Sequence, residues 1–392
     1  MDFSLTPEER EFQAEVRAFI KEHFRPEFMM REGLADTPGR REFVGLLAKR
    51  GWLRLGWPKE YGGIPSTPMM RVILNEELAY AGAPNLGISV LAVGQGILHY
   101  GTEELKKEFL EGILNNEILF AYAYTEPHAG SDLANLKTRA HLEGDEWVIN
   151  GEKMFISPAH YAHYFWLAVR TDPSAPKHKG ISLLIAPIKS KGVTISDLET
   201  LGRRGRFGDI WRTNRVIFDN VRIPARYIVG KVNQGWQVIS AALDDERLYP
   251  HTPLRRSVEN LVKWANEPDE SGYRPAEDPQ VREVIARLTA KMEAAQVLFY
   301  IQASSMLAGK RSPAEAAMTK IAISELDAEI MSEALKLFGA RGLIESGTPE
   351  TILGGEFTRD FRASILGPIA AGTSEILRNH IARHGLGLPR TA

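Results

Sequence analysis

Apolar residues recur at helical spacing through the first third of the chain. Thr6-Pro7-Glu8-Glu9 sets a capping threonine three residues before a glutamate, with proline at the first helical position. Phe12, Val16, Phe19 and Ile20 follow at i, i+4, i+7 and i+8, which predicts one buried helix face. The Gly/Pro-rich stretch Gly56-Trp57-Pro58-Lys59-Glu60-Tyr61-Gly62-Gly63 interrupts the pattern, and helical spacing resumes around 67–82, 86–100 and 103–115. From about residue 118 the period changes. Trp147-Val148-Ile149, Tyr164-Phe165-Trp166-Leu167-Ala168-Val169 and Ile181-Ser182-Leu183-Leu184-Ile185 read as strands. The turn signals Gly144-Asp145, Asn150-Gly151 and Asp172-Pro173 separate the runs, so a compact antiparallel β-domain of roughly 110 residues is expected. Beyond Gly235 the helical period returns. Val281, Val284, Ile285, Leu288 and Met292 form one stripe, and the capping box Ser312-Pro313-Ala314-Glu315 opens a long helix through Met318, Ile321 and Ala322. The expected fold is mainly α with a central β-domain: an N-terminal helical domain over 1–117, a middle β-domain over 118–230 and a C-terminal helical bundle over 231–392.

Composition narrows the function classes. The 392 residues carry 48 Lys plus Arg against 50 Asp plus Glu, so the formal net charge is -2. Nucleic acid and polybasic membrane partners both want a basic excess, and neither is expected. There is no cysteine, which excludes disulfides, thiolate catalysis, Fe–S clusters and Cys-type zinc sites. No apolar run reaches the ~18 residues of a membrane span, and the acidic, polar N-terminus does not read as a signal peptide. A cytoplasmic location is the expectation. No metal is expected either: the ten histidines include no HExxH, and His160 and His163 lack a third ligand. No P-loop and no GxGxxG following a strand is found, which argues against Rossmann-type cofactor binding.

One segment is more specific. Tyr122-Ala123-Tyr124-Thr125-Glu126-Pro127-His128-Ala129-Gly130-Ser131-Asp132 resembles the acyl-CoA dehydrogenase signature, in which a strand end and the next loop cradle a flavin and a thioester. Gly56–Gly63 and Asn150-Gly151-Glu152-Lys153-Met154-Phe155-Ile156-Ser157 are similar to that family too. The three-part organisation agrees with it, so the resemblance spans essentially the whole chain and implies that the C-terminal part is a four-helix bundle. It also implies FAD as cofactor, with Tyr122, Tyr124, Thr125, Ser131 and Ser157 as contacts and Phe155, usually Trp, lying against the isoalloxazine. Ser131 would also approach the CoA ester. A flavin wants such an apolar platform with a few fixed donors. Ala371-Gly372-Thr373-Ser374-Glu375 reads as a helix start, where backbone N–H groups suit a pyrophosphate. The resemblance makes Thr373 and Glu375 FAD contacts and Gly372 a substrate contact.

Two departures from the family pattern carry information. Many members have their catalytic glutamate immediately before this Gly-Thr, where this chain has Ala371. A subset carries the base on an earlier helix in a Glu-Arg pair, and Leu243-Asp244-Asp245-Glu246-Arg247-Leu248 matches it. Ile239 and Leu243 precede Glu246 by seven and three positions, so Glu246 shares an apolar stripe, where desolvation raises a carboxylate's pKa toward that of a useful base. By resemblance Asp244 and Arg247 line the acyl-CoA site. Pro250 and Pro253 cannot donate to the carbonyls of Glu246 and Tyr249, so a continuing helix must kink there, a hint of a wide acyl pocket.

The second departure concerns the cofactor. Typical members next carry Arg-x-Phe-Gly, whose residues reach the FAD phosphates of a neighbouring subunit. The matching stretch, Lys263 to Gly272, has no arginine and three acids, Glu267, Asp269 and Glu270. Phe338-Gly339-Ala340-Arg341-Gly342 resembles the later FAD-adenosine motif, with Gly339 as a contact, and the alternative is a homo-oligomer in which Arg341 or Arg383 supplies the missing charge. The pattern is similar to the actinobacterial acyl-CoA dehydrogenases of steroid side-chain breakdown, tetramers built from two unlike subunits. The resemblance implies FAD-dependent α,β-dehydrogenation of an acyl-CoA, with a bulky acyl group, to the 2-enoyl-CoA. Glu246 would remove the α-proton, and electrons would pass to an electron-transfer flavoprotein. The competing readings are a non-catalytic or half-site subunit that scaffolds a partner's FAD site, and an acyl-CoA oxidase or flavin monooxygenase of the same fold.

Overall fold

The computed structural model describes residues 4–25, 38–201, 213–246, 250–269, 271–308, 313–344, 348 and 350–389. In chain order the helices are α1 Pro7–His23, α2 Pro38–Lys49, α3 Pro68–Ala81, α4 Gly94–Tyr100 and α5 Glu103–Leu114. The strands follow as β1 Phe120–Ala123, β2 Arg139–Glu143, β3 Glu146–Ile156, β4 Tyr164–Arg170, β5 Ile181–Pro187, β6 Val193–Asp197, β7 Asn214–Pro224 and β8 Ile228–Val229. The helices α6 Gly235–Glu246, α7 Thr252–Asn266, α8 Pro279–Leu307, α9 Pro313–Phe338, α10 Glu356–Ser364 and α11 Ser374–His380 complete the chain. Among the described residues no helix is long and apolar enough to cross a membrane.

The chain forms two compact units, one of Met1–Ile20, Val72–Gly82 and Arg247–Ala392, the other of Lys21–Arg71 and Ala83–Glu246. In the first unit the capping box at Thr6 forms as its residues dictate: the Glu9 N–H donates to Thr6 Oγ1 at 3.2 Å, and the Thr6 N–H donates to Glu9 Oε2 at 2.9 Å. Phe12, Val16, Phe19 and Ile20 are all buried. The core of this unit joins α7, α8, α9 and α10 through Leu254, Val258, Leu288, Met292, Ile330 and Phe357. Of the predicted stripe on α8, Val281, Leu288 and Met292 are buried and Val284 packs at its edge. Helix α9 includes Met318, Ile321 and Ala322 as expected; its predicted cap Ser312 lies outside the described residues.

The N-terminal pieces of this unit are tied to α7 by polar contacts. Arg17 on α1 pairs with Glu77 on α3 at 2.8 Å, Tyr80 Oη donates to Glu259 at 2.5 Å, and Arg256 donates to the Tyr80 carbonyl at 3.1 Å. His251 Nδ1 lies 2.7 Å from Glu76 Oε2, both residues buried, without the alignment of a hydrogen bond. The helix does not run through Pro250. Pro250 and His251 lie outside any helix and α7 begins at Thr252 with Pro253 in its first turn, so the prolines do not kink one continuing helix.

In the second unit the strand order is β6-β7-β3-β2-β4-β5-β8, with β1 on β4. Most pairs are antiparallel as expected. The exceptions are β1 with β4, parallel from Phe120↔Tyr164 to Ala123↔Leu167, and the single parallel match of β2 with β4 at Arg139↔Arg170. A parallel partner needs a crossover rather than a hairpin, and the chain between β1 and β4 contains β2 and β3. The Gly/Pro-rich stretch is a built turn. A Cβ at Gly63 would lie 1.8 Å from the Trp57 carbonyl, so only glycine fits there, and Arg54 binds the Tyr61 carbonyl at 2.9 Å and Glu111 at 2.8 Å.

Asp327 on α9 is the acid most displaced by its surroundings. Burial, reinforced by the charge of Asp360 and only partly offset by Arg256, pushes its carboxyl up to about 7. The folded chain then holds a proton that the unfolded chain has released above pH ~4, so this group's contribution to stability falls as pH rises from ~4 to ~7. Asp327→Asn is expected to stabilise the protein by at least ~1 kcal/mol more at pH 8 than at pH 5. Urea titrations at both pH values measure this; the same shift at both would remove the buried acid as its cause.

Candidate functional site

Two sequence motifs, Tyr122–Asp132 and Asn150–Ser157, meet at one end of the β-domain sheet. Strand β1 continues beyond Ala123 into Tyr124, Thr125 and Glu126, and the Thr125 carbonyl accepts from the Met154 N–H on β3 at 2.9 Å. The pairing of β3 with β7 slips between Lys153 and Ile156, and within that slip Phe155 has φ 60. A bulge re-aims a side chain, and this one leaves Phe155 56% exposed between the buried Lys153 and Ile156. An exposed phenyl ring on a left-handed backbone is costly to maintain for folding alone. Two residues on, Ser157 Oγ shares a hydrogen bond with Thr213 Oγ1 at 2.9 Å. Tyr122 and Tyr124 stack with ring centroids 5.0 Å apart and planes at 11°.

Beneath this surface is a buried ion pair. Lys153 Nζ donates to Glu126 Oε1 at 2.8 Å and to the Tyr124 carbonyl at 3.0 Å. Glu126 also accepts from the Lys137 N–H at 2.6 Å and the Thr138 N–H at 2.8 Å, and His128 Nε2 lies 3.3 Å from it. Burial drives the Lys153 ammonium down to about 8 against the attraction of Glu126. Burial also opposes ionisation of Glu126, but the Lys153 charge and the hydrogen bonds outweigh it and hold its carboxyl below the usual range. The following turn is closed by mutual backbone bonds between Glu126 and Ala129 at 3.1 and 3.2 Å. It brings Ser131 to an exposed position, next to Asp132, which pairs with Lys177 at 2.9 Å.

The remaining candidates belong to the other unit. Ala371 has φ 54 and Gly372 φ 94, and Thr373 Oγ1 accepts from the Ile376 N–H at 3.2 Å to cap α11. Buried Lys320 on α9 holds this turn, its Nζ donating to the carbonyls of Gly367 at 2.7 Å and Gly372 at 2.9 Å. The Glu375 carboxyl is held low by its own backbone N–H and by the Thr373 hydroxyl, so it takes part in the cap. Gly339 has φ 60, and Arg341 reaches the Glu350 carbonyl at 3.5 Å. Asp269 stabilises its own turn, its Oδ1 accepting from the N–H groups of Ser271 at 2.8 Å and Tyr273 at 3.1 Å. Glu246 ends α6 on the helix that buries Ile239, while the side chains of Asp244 and Glu246, and all of Arg247 and Glu270, lie outside the described residues.

The donor set fits a flavin. An exposed aromatic ring, two hydroxyls and a strand end with both carbonyls around Thr125 already engaged supply a flat apolar face beside fixed polar groups. Sequence reading singled out Thr125, Phe155 and Ser157 but missed the support under them, Lys153, Glu126 and Thr213, and in the other unit Lys320 under the Gly372 turn. Lys153 and Glu126 stand inside the quoted motifs, yet a charged residue in a sequence reads as surface. Phe155→Ala is expected to change stability by less than ~0.5 kcal/mol, because the ring is exposed, and to weaken FAD binding about ten-fold or more. Thermal melts paired with flavin titration check this; unchanged affinity would separate Phe155 from the cofactor.

Comparison with known proteins agrees with this geometry. Family models for the N-terminal, middle and C-terminal domains of acyl-CoA dehydrogenase match residues 6–117, 121–221 and 233–386. Acyl-CoA dehydrogenase FadE26 of Mycobacterium tuberculosis is 35% identical, covering 100% of this chain and 99% of its own. The solved structure described as the Tcur3481-Tcur3483 steroid ACAD superposes with a TM-score of 0.91 at 37% identity, covering 100% of both chains. The ChsE4-ChsE5 complex from Mycobacterium tuberculosis gives 0.90 at 35% identity, again over 100% of both. The chain belongs to the acyl-CoA dehydrogenase family, enzymes that act on the CH–CH bond of acyl-CoA thioesters.

Proposed function

We propose that this chain is the base-bearing subunit of an FAD-dependent acyl-CoA dehydrogenase that takes a bulky, steroid-like or branched acyl-CoA to its 2-enoyl-CoA. The observation that carries the reading is the convergence of Thr125, exposed Phe155 and Ser157 on one bulged strand end. FAD, when bound, would supply the acceptor for the hydrogen that leaves Cβ with its electron pair as the Cα–Cβ double bond forms. Thr125 and Ser157 offer hydroxyls to its ring and Phe155 a face, with Tyr122, Tyr124 and Ser131 beside them. Thr373, Glu375 and Gly339 are assigned to FAD, and Ser131, Asp244, Arg247 and Gly372 to the acyl-CoA, on the family resemblance. Glu246 is the base that removes the α-proton, since Ala371 cannot take one. Hydrogen bonds to the thioester carbonyl lower the α-proton's pKa enough for a carboxylate to suffice. An electron-transfer flavoprotein is the proposed acceptor.

Three features favour a bulky acyl group and an unlike partner. The helical run is interrupted at Pro250 and His251, shortly after the proposed base. One solved relative of full-length similarity is described as a steroid ACAD and another as a complex of two components. The turn at Asp269 is acidic where other members offer an arginine, and it spends Asp269 on its own backbone.

Glu246→Gln keeps size and hydrogen bonding but removes basicity, so kcat is expected to fall by ~10²-fold or more with flavin content unchanged. Near wild-type turnover by this variant sinks the assignment of Glu246. The chain expressed alone is expected to hold little flavin, and co-expression with an acyl-CoA dehydrogenase-like subunit bearing Arg-x-Phe-Gly should restore roughly one FAD for every two chains. A homogeneous preparation of this chain with one tightly bound FAD per subunit would decide against the unlike partner, and restored flavin without turnover in the complex would favour a scaffolding role.

A further inference from the structure

We infer that Lys153 and Glu126 are positioning residues for the flavin reading above: their buried pair sets the direction and donor strength of the Thr125 backbone N–H. This rests on that reading and deepens it. The Tyr124 carbonyl and the Thr125 N–H belong to one planar peptide and point in opposite directions. Lys153 Nζ grips that carbonyl at 3.0 Å. The next residue, Met154, holds the Thr125 carbonyl at 2.9 Å through its N–H. Consecutive residues of β3 thus fix the peptides on both sides of Thr125, and the third, Phe155, turns outward through the bulge.

A charged donor on a carbonyl polarises the whole peptide and strengthens the N–H at its far side, more so where water is excluded. Lys153 is fully buried, so its charge is not screened by solvent. Glu126 is the counter-charge that makes this ammonium tolerable, and it is itself held from the other side by the N–H groups of Lys137 and Thr138. Stability alone does not account for the pair, because a buried ion pair is often no more stabilising than apolar side chains of the same volume. The direction of the Lys153 bond, toward the peptide that presents Thr125, is what an apolar replacement cannot supply.

The test compares Lys153→Met, Glu126→Gln and the double variant in the flavin-binding complex. FAD dissociation constant, flavin midpoint potential and melting temperature are read on each. The double variant removes both charges and is expected to melt within a few degrees of wild type. It should still bind FAD about ten-fold or more weakly, and its potential should move to more negative values because the weaker donor stabilises reduced flavin less. Glu126→Gln alone keeps an amine on the Tyr124 carbonyl but strips it of its counter-charge, so it is expected to lower the melting temperature more than the double variant does and FAD affinity less. If the double variant does not accumulate, Lys153→Met against Glu126→Gln gives the same contrast. Wild-type affinity and potential in a variant lacking Lys153, or losses that merely track melting temperature across all three, overturn the inference. A wild-type complex that takes up no FAD overturns the flavin reading itself, and this inference with it.

Discussion

A buried ammonium must be satisfied on every side or it unfolds the site around it. Lys153 meets that condition with the Glu126 carboxylate and the Tyr124 carbonyl, and Glu126 meets it with two backbone N–H groups from 137 and 138. These bonds join β3, the exit of β1 and the segment entering β2. The bulge at Phe155 and the turn at Glu126–Ala129 both start from atoms this pair has already fixed. The strained backbone of Phe155 is tolerable because its neighbours on each side are anchored in the sheet.

The other unit applies the same device at its own turn. Lys320, likewise buried, binds the carbonyls of Gly367 and Gly372, and the left-handed conformations of Ala371 and Gly372 lie inside the loop so closed. Ala371 offers no carboxylate, and Thr373 caps α11 without one. The geometry of that turn is therefore independent of the carboxylate.

The acids between Glu267 and Glu270 illustrate how a charge reads differently in sequence and in space. As a string they are an unsuitable partner for phosphate. In the fold, Asp269 accepts backbone N–H groups of its own turn, which hold its carboxyl below the ordinary range. The turn is complete as it stands and has no arginine to offer a phosphate.

Local chemistry and period were enough to read the order of helices and strands. Thr6 with Glu9 capped α1, the apolar stripe of α1 was buried, and the β-rich runs became β3, β4 and β5, because caps and hydrophobic periodicity act over a few residues. The motif residues Thr125, Phe155 and Ser157 were legible too, as members of recognisable strings. Their meeting was not, because it depends on strands paired across the sheet: the parallel match of β1 with β4, and the slipped register of β3 on β7 that turns Phe155 outward. The burial of Lys153, Glu126 and Lys320 was equally invisible, since the same side chains in a string look solvent-exposed. Only the packed sheet and bundle decide which charges lose water and must then be held by named partners.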